Sequence, residues 1–324
     1  MAYIFAIAVS VLILAAALYV LAARANWLAK EDAKVIARHS HGNSRFINVD
    51  GVHIHYLDEG EGPGLLLLHG SYLDLGVWDG WAANLIRDHR VVRLDRACYG
   101  LTGRDPFETF GYEREADLVA AFAEKIGLGN YIVVGASSGG TTAGRIAAHH
   151  PERVSGVVLI NFPYVRKSVR PTPSYALSIW IRDRLLVNHQ PGWHMGWTIR
   201  ANLTDKARAT RALIRRLTDQ ANRPGMLGDR LRLEKGCAAY SPEKRLDDFV
   251  AIRAPTLLIW GRDNHLLTVE SGRQAYDAIG ADLKWMKIIT GGSHMIPLEK
   301  SDESLQIVRE FLDQVVHASI TKRI

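Results

Sequence analysis

Tyr131-Ile132-Val133-Val134-Gly135-Ala136-Ser137-Ser138-Gly139-Gly140 is an apolar, β-branched run that stops at a serine boxed in by small residues. The run reads as a buried strand, and Thr141 to His150, with alanines at 143, 147 and 148, reads as a helix. Ser137 therefore falls on the turn between them. A G-x-S-x-G turn this tight holds its serine in a strained backbone conformation, and glycine is required at 135 and 139 because larger side chains would strike the strand and helix. The hydroxyl is lifted into the open, and the N–H of Ser138 opens the helix toward the place where negative charge develops on an attacked carbonyl. Taken alone, these five residues equally describe a Gly-rich turn without chemistry, so the rest of the chain has to decide.

At 324 residues and 48% hydrophobic content, the chain can bury one large α/β core or two smaller domains, and its composition is that of a globular protein. The only cysteines, Cys98 and Cys237, lie too far apart in sequence to form a metal knuckle or redox pair and read as unpaired. The net charge of +6 is unevenly spread: residues 161–250 carry 17 Lys and Arg against 8 Asp and Glu. That surplus fits either solvated helix faces or contact with an anionic surface such as a phospholipid leaflet. No basic stripe with interleaved aromatics suggests nucleic acid.

Working outward, Ala2 to Ala23 is apolar apart from Ser10 and as a helix would extend about 33 Å, enough to cross a bilayer core of about 30 Å. A cleaved signal peptide is the rival reading, but no Lys or Arg precedes the run and it exceeds a usual signal core. Residues 1–24 are therefore expected to be a retained transmembrane anchor. Arg24, Lys30, Lys34 and Arg38 follow it, so the positive-inside rule places the remainder on the cytoplasmic side of a single-pass membrane protein. Residues 25–44 read as a polar, partly helical linker. Arg45 to Val49 and His53 to Asp58 alternate around an Asp50-Gly51 turn as a hairpin.

Leu65 to Leu68 is a continuous apolar run, as in a parallel strand covered on both faces, and it ends in His69-Gly70-Ser71. A loop at that place is where the second oxyanion donor is needed, which makes Ser71 and Ser138 the expected oxyanion-hole pair. His69, Tyr72 and Trp78 are expected near the substrate pocket, although Trp78 reads equally well as core. Strands and helices then alternate through Val91 to Leu94, Glu113 to Ile126 and Val157 to Ile160, the signature of a mostly parallel sheet with helices on both faces. Residues 163–250 break the alternation with helical stretches only and are expected to form a cap. Trp180, Trp193, Trp197 and Met226 are candidates to line a pocket beneath it. The sheet resumes at Thr256 to Trp260, ending in Gly261-Arg262-Asp263, and again at Leu283 to Ile289, followed by Gly291-Gly292-Ser293-His294. Residues 45–162 and 251–324 would thus form one core.

A nucleophilic serine needs a base within reach, and the base needs an anion to hold its tautomer. The order Ser137, Asp263, His294, each in a loop after a strand, supplies them, with Asp247 or Asp248 as weaker substitutes for the acid. The chain resembles a capped, esterase-like member of the α/β-hydrolase superfamily from Arg45 to its C-terminus. The matching pieces are Leu67-Leu68-His69-Gly70, Asp95 through Gly100, the Gly135 to Gly140 elbow, His150-Pro151-Glu152-Arg153-Val154, Pro255 through Asp263 and Gly292-Ser293-His294. Two departures stand out: Arg96-Ala97-Cys98, where relatives commonly carry a Pro-Gly pair, and Ser293, where many relatives have glycine before the histidine.

The resemblance implies hydrolysis of a carboxylic ester through an acyl-enzyme, with no metal or organic cofactor, and a basic cap lying against lipid would favour hydrophobic or acyl-chain substrates. Lactone opening, carbon–carbon bond hydrolysis by the same residues, and non-catalytic ligand binding on this fold are the alternatives. Haloalkane and epoxide chemistry on this scaffold uses Asp in place of Ser137. The expected partners are a small-molecule ester and, through the N-terminal helix, a membrane; nothing in the sequence sets the oligomeric state.

Overall fold

Continuous apolar runs form the middle of one eight-stranded sheet in the computed structural model, which describes residues 1–107, 110–164 and 173–321. The strands are β1 (Arg45–Val49), β2 (Val52–Glu59), β3 (Gly64–Leu68), β4 (Arg90–Leu94), β5 (Tyr131–Ala136), β6 (Val154–Ile160), β7 (Thr256–Gly261) and β8 (Lys284–Ile289), in the spatial order β1-β2-β4-β3-β5-β6-β7-β8. The pairs β1–β2 and β2–β4 are antiparallel, and all others are parallel. Leu68 pairs with Gly135, Ala136 with Ile160, and Ile160 with Ile259, so the loops that leave β3, β5, β6 and β7 open at one edge.

The helices in chain order are α1 (Ala2–Arg24), α2 (Asp32–His39), α3 (Asp79–Leu85), α4 (Tyr112–Lys125), α5 (Ser138–His149), α6 (Pro173–Arg184), α7 (Gly192–Ala201), α8 (Arg211–Ala221), α9 (Met226–Ala239), α10 (Pro242–Ala251), α11 (Val269–Ala278), α12 (Ile296–Glu299) and α13 (Ser301–Thr321). Successive strand residues face opposite sides, and both sides of β3 are covered, which is why Leu65 to Leu68 are all leucine. Leu66 and Leu68 join Val133, Phe122 and Ile146 on one face, while Leu65 and Leu67 join Val134, Trp78, Trp81 and Phe311 on the other. Each fully buried leucine contributes about 2 kcal/mol.

Helices α6 to α10 occupy the stretch between β6 and β7. Their starts are chemically marked: the Thr210 side chain accepts from the N–H of Leu213, and that of Ser241 from Lys244, with Pro242 at the first helical position. The segment 25–44, expected as a linker, is instead docked. Asp219 of α8 accepts from Arg38 at 3.2 Å and pairs with His39 at 3.0 Å, Arg223 donates to Asp32 at 2.6 Å, and the Lys30 N–H reaches Asn222 O at 2.7 Å. Polarity alone does not distinguish a free linker from a helix fastened by charged bonds.

Helix α1 has 23 residues and is exposed on all sides through Tyr19, with Ala23 the one buried residue near its end. It is the one helix among the described residues long and apolar enough to cross a membrane. Its end touches the loop after α6: Arg24 Nη1 donates to Arg184 O at 2.5 Å, Asn188 Nδ2 donates to Arg24 O at 2.9 Å, and the Tyr19 ring meets His189 edge-on at 5.7 Å. Both cysteines are free thiols.

Candidate active site

The turn between β5 and α5 has the strained geometry its sequence requires. Ser137 adopts φ 53° and ψ −126°, a conformation few non-glycine residues enter. A Cβ on Gly135 would lie 2.2 Å from Gly139 O, and one on Gly139 would lie 2.5 Å from the carbonyls of Leu68 and His69. Only glycine lets strand, elbow and neighbouring loop pass this closely. The hydroxyl of Ser137 sits 2.9 Å from His294 Nε2. His294 is carried on the loop after β8, which Asn161 at the end of β6 fastens: its Nδ2 donates to Ser293 O at 2.8 Å and His294 O at 3.0 Å, and its Oδ1 accepts from Gly261 N at 2.9 Å.

Asp263 does not meet His294. Its side chain is exposed and forms no hydrogen bond or ion pair among the described residues. The buried neighbour Asn264 points inward instead, with Nδ2 3.3 Å from His294 Nδ1. The physical reason is the turn after β7. Asn264 Oδ1 accepts from the N–H groups of Leu266 and Leu267, both at 3.1 Å, which draws residue 264 into the site and leaves 263 on the outside. Those two donors also fix the amide: its oxygen is committed to the backbone, so its NH₂ must face the imidazole. Nδ1 then accepts, the ring proton lies on Nε2, and Nε2 donates to Ser137. This is the opposite of the tautomer a general base needs. Asp247 and Asp248 also fail as substitutes; Asp248 is held by Arg145, His149 and Tyr240.

With no carboxylate beside it, burial pushes the pKa of His294 down to about 4, and the positive charge of nearby His265 adds to the depression. His294 as a residue is half-buried, with protein packed densely around it. The imidazole is therefore neutral throughout the physiological range.

Ser71 and Ser138 both border the cavity that holds Ser137, a space of about 320 Å³. Their hydroxyls lie 2.9 Å apart, Tyr99 OH donates to Ser71 Oγ at 3.2 Å, and Arg96 Nη1 donates to Ser138 Oγ at 2.7 Å. The unusual Arg96 is buried and held by Glu115 through two bonds of 2.8 and 2.6 Å, while Thr142 donates to the same carboxylate at 2.6 Å. It replaces a turn motif with a charged brace behind the elbow. Ser293, the other departure, is built in as well: its N–H donates to Glu299 at 2.9 Å and its hydroxyl to Asn202 O at 2.8 Å, tying the histidine loop to the end of α7.

His69, Tyr72 and Trp78, expected at the pocket, do not border the Ser137 cavity. His69 is wholly buried and structural: Nδ1 donates to Gly70 O at 2.7 Å and Nε2 accepts from the Arg96 N–H at 3.0 Å. Burial, then the charge of Arg96, lowers its pKa and keeps it neutral for that role. Trp78 packs at a tilt against Trp81 in the core, and Tyr72 is turned toward Arg182 and Arg230. Trp180 and Trp193 are exposed rather than pocket lining. A larger hollow of about 1170 Å³, bordered by Arg38, Arg208, Arg215 and Arg216, contains none of these residues and opens broadly to solvent.

A serine on a strained strand-to-helix turn, with a histidine on its hydroxyl, thus lies at the edge where the loops after β3, β5, β6 and β7 open. The chain belongs to the alpha/beta hydrolase family, whose model matches residues 65–307. It is 26% identical over 292 residues to 2-hydroxy-6-oxo-6-(2'-aminophenyl)hexa-2,4-dienoic acid hydrolase of Metapseudomonas resinovorans, covering 86% of this chain and 93% of that one. It is 28% identical over 290 residues to 2-hydroxy-6-oxononadienedioate/2-hydroxy-6-oxononatrienedioate hydrolase of Burkholderia vietnamiensis, covering 83% and 95%. Among solved structures, it is similar to a membrane phospholipase A described as a bacterial virulence factor, with a TM-score of 0.68, 25% identity and coverage of 97% of this chain and 96% of that one.

Proposed function

We propose that this chain is a membrane-anchored serine hydrolase that cleaves carboxylic esters of hydrophobic acids through an acyl-enzyme on Ser137. The observation that carries the reading is the 2.9 Å approach of His294 Nε2 to the Ser137 hydroxyl on a strained elbow. The hydroxyl oxygen attacks the ester carbonyl while its proton passes to Nε2, and the tetrahedral oxyanion lies against the oxyanion loop and the start of α5. His294 then hands the proton to the departing alcohol, and water releases the acid by the same steps. Asn264 makes this route slow. Transfer to Nε2 requires the ring proton on Nδ1, and the amide accepts it only by turning its oxygen away from Leu266 and Leu267, at roughly 1 kcal/mol for each bond given up.

Two features support a membrane setting. Helix α1 has the length of a single span. Exposed Trp27, at 79%, and Trp180 and Trp193 sit on the segments that follow α1 and border its contact with the α6–α7 loop, and tryptophan is favoured at membrane interfaces. The cations after α1 support a cytoplasmic catalytic domain under the positive-inside rule. Residues 163–250 act as the cap, with α9 supplying Leu233 and Glu234 to the cavity wall. The names of the two sequence relatives favour a second reading, carbon–carbon bond hydrolysis of an oxo-dienoic acid by the same serine. A panel of p-nitrophenyl esters of graded chain length, run beside an oxo-dienoate, separates the two; a protein that turns over neither, with Ser137→Ala as the blank, refutes both.

A further inference from the structure

The cavity that contains Ser137 has a charge imbalance in its wall. Four arginines lie in or just behind that wall, and three have carboxylates. Arg96 is paired with Glu115. Arg182 is 3.0 Å from Glu234 and 2.7 Å from Asp183, and Arg230 approaches the same Glu234 at 3.9 Å. Arg245 is different. It is 6% exposed and borders the cavity, yet no carboxylate lies within ion-pair distance among the described residues. Among the described residues its Nη atoms reach only Tyr164 O at 3.5 Å and Tyr240 O at 3.4 Å, both long contacts, and its buried Nε has no hydrogen-bond partner. The rings of Tyr112 and Tyr240, 5.8 and 5.9 Å from the guanidinium, offer only their faces. The nearby Asp248 is taken by Arg145 and His149. Outside the described residues, 165–172 hold three cations and no acid, and Glu108 is the single acid, so Glu108→Gln is run beside the variants below and must leave the anion preference unchanged.

A buried guanidinium without an anion is costly, and Arg cannot escape the cost by losing its proton. Placed on the wall of a site that needs a substrate, it is suited to receive an anion that the described residues do not provide. We infer that Arg245 binds an anionic oxygen group of the substrate, a carboxylate or a phosphate, some way along the molecule from the carbonyl attacked by Ser137. This inference rests on the hydrolase reading and narrows it to acidic substrates. Glu234 on the same wall does not oppose it, because Arg182 and Arg230 neutralise that carboxylate. The planar fork of Arg245 suits two-point binding of either anion, which a lysine would hold only as a point charge.

The test uses full-length protein in detergent and three acyl esters of similar length: p-nitrophenyl hexanoate, mono-p-nitrophenyl adipate and p-nitrophenyl 5-phosphonopentanoate. One anionic ester should exceed the hexanoate in kcat/KM by about tenfold or more, the range of a charge-assisted bond. Preference for the adipate identifies a carboxylate, and preference for the phosphonate identifies a phosphate. In Arg245→Met that ratio should collapse toward one through KM, and Arg245→Lys should recover part of it. Without ligand, Arg245→Met should melt at the same temperature or higher, because an unpaired buried charge has been removed. A clear fall in Tm would mean the arginine is structural and would overturn the inference, as would equal use of all three esters by the wild type. Binding separates this claim from the catalytic one. Adipate or butylphosphonate should raise the Tm of Ser137→Ala and not of Ser137→Ala/Arg245→Met. That result with no ester cleaved by wild type leaves the anion site standing and sinks the hydrolase, whereas ester cleavage with neither anion shifting Tm does the reverse.

Discussion

Replacing Asn264 by Asp should make this protein a faster enzyme. The side chain stands 3.3 Å from His294 Nδ1, and in the wild type it presents an NH₂ there. An aspartate in the same rotamer keeps one oxygen on the Leu266 and Leu267 N–H groups and turns the other toward Nδ1. The ring proton then moves to Nδ1 and frees Nε2 to take the proton of Ser137. At an effective dielectric of about 20, a carboxylate at that distance favours the imidazolium by about 5 kcal/mol before its own desolvation is subtracted. That is enough to bring the depressed pKa of His294 back to or above the ordinary histidine range. The reverse change in a serine protease costs about 10⁴ in kcat, so a gain of roughly 10² to 10⁴ is expected here. The assay is kcat and kcat/KM for p-nitrophenyl butyrate from pH 3.5 to 9. Wild-type activity, carried by a base that ionises near pH 4, should be low and flat above about pH 5, since a lowered pKa leaves the base form fully present there. The variant should be faster and acquire an acid limb near or above neutrality. An unchanged rate in Asn264→Asp, with a wild-type limb near pH 6.5, would refute the tautomer argument and return the orienting role to another group.

Other substitutions probe the rest of the site. Ser137→Ala should lower ester turnover at least 10³-fold and abolish labelling by a fluorophosphonate, whichever tautomer prevails. Asp263→Ala should leave kcat/KM within about threefold, since an exposed side chain without a partner has little to lose; a loss comparable to that of His294→Ala would show that Asp263 reaches the base during turnover. Asn161→Ala removes three buried bonds from the β7 end and the histidine loop and should cost about 2 to 4 kcal/mol in denaturant unfolding while lowering kcat more than it raises KM. Glu115→Ala strands the buried Arg96 and should cost about 3 to 5 kcal/mol by the same measurement. Carbonate extraction should leave the full chain in the membrane fraction and release the protein lacking residues 1–24; release of both would refute the anchor.

Most of the sheet, the elbow and the histidine were legible in the sequence because each rests on a local signal. Buried parallel strands must be apolar throughout, and the Ser137 turn admits only glycine on either side. The acid position was not legible. Asp263 and Asn264 are adjacent on one turn, and choosing the carboxylate follows chemistry where the backbone follows hydrogen bonds: the two N–H groups of residues 266 and 267 decide which side chain turns in. Asn161 could have been noticed as a polar residue directly after a buried strand, a place where asparagine tolerates the positive φ of 43° found there. Arg96 was visible as a departure, but it lies in the loop after β4 and its partner Glu115 on α4, and no periodicity links them. The pocket wall was missed for the same reason, since aromatic side chains such as Trp78 signal burial without saying in which layer.

The fastening of α1 to the body of the protein bears on how substrate arrives. Arg24 is bonded to Arg184 and Asn188, and a few residues later Lys30 and Asp32 are bonded to Asn222 and Arg223, so both ends of the connecting turn are pinned to neighbouring cap segments. A domain on a slack leash would sample a hemisphere of orientations above the leaflet and depend on chance to present its mouth. Here the connecting turn is bonded at two points, which holds the body of the protein at a set angle to α1. If α1 spans a bilayer, one fixed flank of the cap faces the lipid at all times, and the supply of substrate becomes a matter of lateral traffic in the leaflet, with the enzyme standing still.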